Sequence, residues 1–354
     1  MSIELKRVES SETWDQCVER SPGTTPFHQE SGLKLLGEYA DATVHRLIGY
    51  NGQEPIGLLP LFETEEEWLT VVRSPPRLLE SFSLGPAHLN LEKMSQRKTE
   101  RYRREFVDSS IAWLDENIHP EFVHIRTAVQ YSDVRPFTWN RFAGAPYYTY
   151  VIDLTQGPET VKDDFSQVVR SNLRDAKEMD CEVEEGGIKE VTFIMRQVRR
   201  RLAEQGERST IPHGFVEDIY GRFPDGQVRP YICRVNGETV SGIIFLEYGD
   251  TIYAWQGAVQ SKTNVPTTDV LYWRVIRDSI ERGLERYDLV GANIPRLCEY
   301  KTKFGPVPSV YFNLNRRQGR ASVQHGTREA LRQTVTKARS TTIYKQIRGK
   351  LNYR

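Results

Sequence analysis

At 354 residues the chain is too long for one ordinary domain and predicts two. Apolar residues at 38% and charged residues at 27% exclude the disordered and fibrous classes, and no run approaches the ~20 apolar residues of a membrane-spanning helix. The formal charge of +0 hides an asymmetry: from Arg320 onward nine basic residues stand against Glu329 alone, so a tail of net +8 follows a body of net −8. Such a tail suits an anionic partner, tRNA or an anionic membrane surface, and packing on its own acidic body is the alternative.

The opening MSIELKRVESSE lacks the apolar core of a signal peptide, so a cytoplasmic location is expected, with a peripheral position at the inner membrane face open through the tail. Further along, VHRLIGYNGQEPIGLLPLF places Asn51-Gly52 between apolar runs. That is a hairpin signal, because both central residues of a type I′ turn need positive φ. Pro75-Pro76 and Gly85-Pro86 mark an irregular connection. A helical pattern from Tyr102 to Asn117 precedes the strand EFVHIR, where His119 and His124 read as loop and strand residues. A boundary is expected near Ala145-Pro146, before YYTYVIDL.

In the second half, 160–179 carries Val161, Phe165, Val168, Val169, Leu173 and Ala176 on one face of a helix, with Arg170, Arg174 and Lys177 as a basic stripe. Another helix covers about Ile188 to Gln205. YICRVNGETVSGIIFLEY repeats the hairpin at Asn236-Gly237. In both copies a Gly lies six residues after the Asn (Gly57, Gly242) and a Leu four further on (Leu61, Leu246). Each hairpin is followed by a helix and a strand, Val270 to Arg286 and then YDLVGA in the second copy, which points to duplication. The expected organisation is 1–145, 146–316 and a basic, helical tail over 317–354. Within the tail, Leu331, Val335, Ala338, Ile343, Ile347 and Leu351 alternate with bases, as in an amphipathic helix on a membrane or on tRNA.

Common catalytic signatures are missing: no GxSxG, Walker loop, GxGxxG after a strand, or HExxH. The seven histidines show no metal-ligand spacing, so no metal is expected. Cys17, Cys181, Cys233 and Cys298 are scattered and read as buried or inert thiols, with neither a disulfide framework nor a zinc pattern. What remains is YDLVGANIPRLCEYKTKFG, Tyr287 to Gly305, a strand running into a loop at the carboxyl end of a sheet, where open α/β folds place ligands.

The strand, the loop and Lys301-x-x-Phe304-Gly305 resemble the FemABX aminoacyltransferases and the related polysaccharide-associated (CelD-like) acetyltransferases of the GNAT superfamily. TPFHQESGLKLL, VVRSNLRDAK and YAWQGA match the same pattern, so the resemblance runs from about residue 24 to about 315. It implies an α/β fold of two tandem GNAT-like domains, each a mixed, mainly antiparallel sheet flanked by helices. It also implies N-acyl transfer from an activated donor to an amine acceptor, in cell-envelope or surface-polysaccharide synthesis. FemABX proteins take the aminoacyl group from aminoacyl-tRNA and place it on a peptidoglycan precursor. No bound cofactor is expected; the donor is aminoacyl-tRNA or acyl-CoA.

Amine attack on an ester or thioester builds charge on the carbonyl oxygen, so a placed donor for that oxyanion matters more than a strong base. By match to the family motif, Lys301 takes that role, with Tyr300 and Phe304 shaping the pocket; the bland alternative is a solvated lysine at a strand end. Asp288 either orients the attacking amine and takes its proton or is structural. Arg170, Arg174 and Lys177 hold phosphates or form a solvated helix face. Trp255, Gln256 and Tyr272 line an acceptor cleft or belong to the core. A rival is an acyl-CoA-dependent N-acetyltransferase of the same fold, although Gln260 to Val265 lacks the glycines of a pyrophosphate-binding turn. A non-catalytic carbohydrate- or nucleic-acid-binding module is the third reading.

Overall fold

In the computed structural model, which describes residues 3–179, 181–257 and 265–318, the first half of the chain runs β1 (Glu4–Arg7), α1 (Ser11–Glu19), α2 (Glu30–Ala40), β2 (Thr43–Asn51), β3 (Glu54–Glu66), β4 (Leu69–Ser74), β5 (Ala87–His88), α3 (Gln96–Asn117), β6 (Phe122–Arg126), α4 (Arg135–Trp139) and β7 (Ala143–Asp153). The second half runs α5 (Pro158–Asp163), α6 (Gln167–Asp175), β8 (Cys181–Glu185), α7 (Ile188–Glu204), α8 (Phe215–Arg222), β9 (Val228–Val235), β10 (Glu238–Tyr248), β11 (Thr251–Gly257), α9 (Thr267–Glu281), β12 (Arg286–Asp288), α10 (Pro295–Lys301) and β13 (Val307–Arg317). The basic tail from Arg320 and most of the Gln260–Val265 turn lie outside the described residues.

The strands form one sheet in the order β1-β2-β3-β4-β6-β13-β7-β12-β11-β10-β9-β8, with β5 on β3. Two contacts are parallel, β4 with β6 and β11 with β12; the others are antiparallel. The order is a palindrome of the duplicated unit, with one exchange. The last strand of the first half, β7, pairs with β12 of the second, and the last strand of the second, β13, pairs with β6 of the first. Ala145-Pro146 therefore lies inside β7, opposite Asn313 and Phe312, and not in a linker. Separate sheets on either side of that point are replaced by a seam built from both halves.

Both Asn-Gly hairpins form, one residue out of step with each other. In the second, Val235 faces Glu238 and the turn is Asn236-Gly237, both at positive φ (49° and 76°), as a type I′ turn requires. In the first, Asn51 faces Glu54 and the turn is Gly52-Gln53, with only Gly52 at positive φ (66°). A one-residue offset reverses the side-chain face. Gly57 accordingly lies under Phe106 of α3, whereas Gly242 lies under Ile194 of α7, on the other side of the sheet.

The helix expected over 160–179 is divided. Ser166 caps α6 by accepting from the Val169 amide, so α5 ends at Asp163 and α6 starts at Gln167, leaving Lys177 past the helix. YDLVGA is a strand only as far as Asp288.

Three cores hold the sheet. α3 covers the outer face of the first half through Phe106, Ile111 and Leu114, and α5, α6, α9 and α10 cover that of the second through Val161, Val169, Leu271 and the Phe304 that follows. Between the halves α1, α2, α7 and α8 share one core. Phe27 from the first half stands 5.7 Å from both Phe223 and Trp255 of the second, and Tyr39 donates to Asp218 at 2.9 Å. Among the described residues no helix is long and apolar enough to cross a membrane.

Candidate active site

The site is set by where β11 and β12 part. They pair over three residues, ending at Tyr253 opposite Asp288, and β11 then continues alone on that side to Gly257. The chain after β12 stays with β7 through the Leu289 amide to the Tyr150 carbonyl and the Ala292 amide to the Tyr148 carbonyl, both within 2.8 Å. Between those bonds Val290 and Gly291 bulge out with φ of 50° and 84°. A β-branched residue at positive φ is strained, and strain of this kind persists where surrounding contacts over-determine it. Here the contacts are visible. The Val290 amide donates to Asp288 Oδ1 at 2.7 Å, the Gly291 amide to Thr149 Oγ1 at 3.1 Å, and Thr149 Oγ1 to Asp288 Oδ1 at 2.5 Å.

Lys301, the last residue of α10, closes the bulge from the other side: its Nζ donates to the Val290 carbonyl at 2.7 Å and the Gly291 carbonyl at 2.8 Å. Lys301 and Asp288 are 8% and 6% exposed, so neither is a solvated surface charge. Burial raises the Asp288 carboxyl to about 6, against the Thr149 and Val290 hydrogen bonds and the nearby Lys301 charge, which pull it down. Burial lowers the Lys301 ammonium, and Asp288 opposes that shift. The result is a carboxylate able to take a proton near neutrality, beside a desolvated ammonium. Two of the ammonium's three N–H groups are held by carbonyls.

Other residues singled out by sequence occupy different places. Phe304 is fully buried and packs with Phe165, Tyr272 and Tyr300 at centroid distances of 5.1–5.7 Å, beneath α10. Tyr300 and Asn172 Nδ2 both donate to the buried carboxylate of Asp269, at 2.6 Å each, so α6, α9 and α10 meet at one acid. These contacts seat α10, and with it Lys301. Trp255 and Gln256 are also buried, and both bind Glu80 of the first half. Trp255 Nε1 donates to its carbonyl and Gln256 Nε2 to its carboxylate, each at 2.8 Å. Their side-chain nitrogens are committed to that link. Arg174 and Lys177 are exposed, and Arg170 donates to the Asp163 carbonyl at 2.6 Å.

Sequence reasoning missed Thr149, Asp269, Asn172 and Glu80. The only local hint was the YYTYVIDL alternation, which puts Thr149 on one face with Val151. Cys181 and Cys233, separated in sequence, are neighbours across β8 and β9, with Sγ atoms 3.1 Å apart. Among the described residues no three His, Cys, Asp or Glu side chains are grouped to hold a metal. A cavity of about 410 Å³ lined by Tyr39, Arg73, Arg77, Leu79, Thr210 and Pro212 lies away from Lys301.

In each half the fourth and fifth core strands run parallel, and in the second half they part at the site that holds Asp288 and Lys301. Residues 164–302 match the family model for the acetyltransferase (GNAT) domain, a stretch that contains both Asp288 and Lys301. The whole chain is similar in fold to FemX at 12% identity and a TM-score of 0.68, over 88% of this chain and 96% of FemX. It is also similar to L-PGS from Bacillus licheniformis at 11% identity and a TM-score of 0.54, over 91% and 96%. No curated protein matches the chain by sequence.

Proposed function

We propose that the chain moves an activated acyl group, aminoacyl in the leading reading, onto an amine acceptor at the Asp288–Lys301 pair. The observation that carries this is the buried carboxylate near pKa 6 next to a desolvated lysine at the parting of β11 and β12. The amine nitrogen attacks the acyl carbonyl and Asp288 takes its proton. Charge gathers on the carbonyl oxygen, and the third N–H of Lys301 is the donor available to it. As the tetrahedral species collapses, the bond to the leaving oxygen or sulfur breaks, and the proton held by Asp288 returns to that atom or to solvent.

The fold likeness to FemX and to L-PGS supports an aminoacyl ester as donor, and the acetyltransferase description of the family model supports acyl-CoA as the second reading. In either case no resident cofactor is required, a cytoplasmic enzyme of cell-envelope synthesis is the setting, and the basic tail is the part suited to tRNA or an anionic membrane. The test is to supply aminoacyl-tRNA and labelled acyl-CoA separately, with an amine acceptor, to the full chain and to Lys301→Ala. Transfer from one donor, reduced 10²–10³-fold in the variant, is expected. Equal transfer by the variant, or none from either donor, removes the assignment, and the latter favours a binding module.

A further inference from the structure

The seam carries a second cation. Arg126, the last residue of β6, is opposite Asn313 on β13. Asn313 shares a face with Tyr311, Ser309 and Val307, Val307 is opposite Val151 on β7, and Val151 is opposite Asp288 on β12. Because paired residues project to the same side, Arg126, Tyr311, Thr149 and Asp288 all look out from one face of the sheet.

Arg126 is partly buried, and burial presses against its charge. Its two hydrogen bonds go to neutral oxygens: Nε donates to Asn313 Oδ1 at 3.3 Å and a terminal nitrogen to the Ser81 carbonyl at 3.2 Å. Ser81 is itself 4% exposed, and its hydroxyl has no hydrogen-bond partner. Tyr311 and Tyr147, opposite each other on β13 and β7, stand beside the guanidinium and leave part of their rings exposed. Two other sheltered arginines of the chain are paired with carboxylates. Arg316, on the same strand as Asn313, binds Asp115, and Arg229 binds Glu185 and Glu247. Among the described residues no carboxylate forms an ion pair with Arg126.

A desolvated cation left with neutral partners costs free energy unless a ligand completes it, and a guanidinium fork matches a phosphate or carboxylate. We infer that Arg126 and the Ser81 hydroxyl receive an anionic oxyacid group of the amine acceptor. The inference rests on the proposed transfer reaction for the identity of that ligand. Two strands, β13 and β7, separate β6 from β12, so the backbones stand roughly 14 Å apart across the sheet at ~4.8 Å per step, and further along it. The acceptor is therefore an extended molecule whose amine and anion are well separated, not a small free amine.

Binding of inorganic phosphate, pyrophosphate and citrate to the full chain, by calorimetry and by protection against thermal unfolding, tests the site without any donor. Pyrophosphate or citrate is expected to bind the wild type saturably. Arg126→Gln weakens that binding at least tenfold, Arg126→Lys weakens it less, and Lys301→Ala leaves it unchanged. Tighter pyrophosphate points to a phosphorylated acceptor and tighter citrate to a carboxylate. Equal affinity in the wild type and both Arg126 variants, or no saturable binding of any of the three anions, overturns the inference. Loss of transfer in Lys301→Ala with anion binding unaltered in Arg126→Gln would leave the reaction standing and remove only the anion site. Transfer undiminished in Lys301→Ala, with anion binding sensitive to Arg126, would do the reverse.

Discussion

Asp288 and Lys301 were legible in the sequence because both fall in one continuous motif. Thr149 was not, because its hydrogen bond to Asp288 crosses 139 positions of chain and exists only once β7 lies beside β12. The environment makes the carboxylate useful and costly together. Its folded pKa of about 6 lies above the ordinary 3.8, so the contribution of this group to stability is fully present below the lower value and lost as pH rises through the higher. At pH 7 the ionised group opposes folding by up to about 3 kcal/mol. Asp288→Asn keeps an acceptor for Thr149 and Val290 while removing the charge. It is expected to hold or raise the melting temperature at pH 7, and to cut kcat by 10²–10⁴-fold. In the wild type, transfer should rise with pH through about 6, and that limb should vanish in the variant; a pH–rate series on both proteins, with calorimetry, measures the two effects.

At the level of elements, the hairpins, α3, α7 and α9 were readable from turn residues and the 3.6-residue period, since both signals are local. The one-residue offset between the two hairpins was not. Asn51 and Asn236 look equivalent in sequence, but Asn51 closes its strand and Asn236 opens its turn. The aromatic and polar residues near Lys301 looked like pocket walls; Tyr300 and Phe304 instead anchor α10. That assigns Asp269 a mechanical part. Asp269→Ala strands the Asn172 amide and the Tyr300 hydroxyl and is expected to cost about 2–4 kcal/mol in urea unfolding. Tyr300→Phe should cost about 1 kcal/mol, with coupling between the two changes in a double-mutant cycle. Gly305, at φ 68° and placed so that an added Cβ would clash with Asp164 Cβ at 2.7 Å, ends the same anchor. Gly305→Ala is expected to destabilise by about 1–3 kcal/mol and to lower kcat by displacing Lys301.

For the whole molecule, the exchange of β7 and β13 and the shared core of α1, α2, α7 and α8 make the halves mutually dependent. The duplication was legible as a repeated order of elements, whereas the exchange was invisible because the palindromic partners are non-consecutive strands. A chain ending at residue 145 lacks β13, one of the two neighbours of β6, and cuts β7 short. Such a fragment is expected to be unfolded or aggregated by circular dichroism and gel filtration, and the full chain to melt in one transition. Two separated transitions, or a folded 1–145 fragment, would contradict that coupling. The central claim, acyl transfer to an amine at the Asp288–Lys301 pair, is tested most directly by single-turnover transfer at saturating protein, comparing wild type with Lys301→Ala for whichever donor is consumed. The account predicts an acylated amine product with the chemical step slowed 10²–10³-fold in the variant; an unchanged single-turnover rate would contradict it.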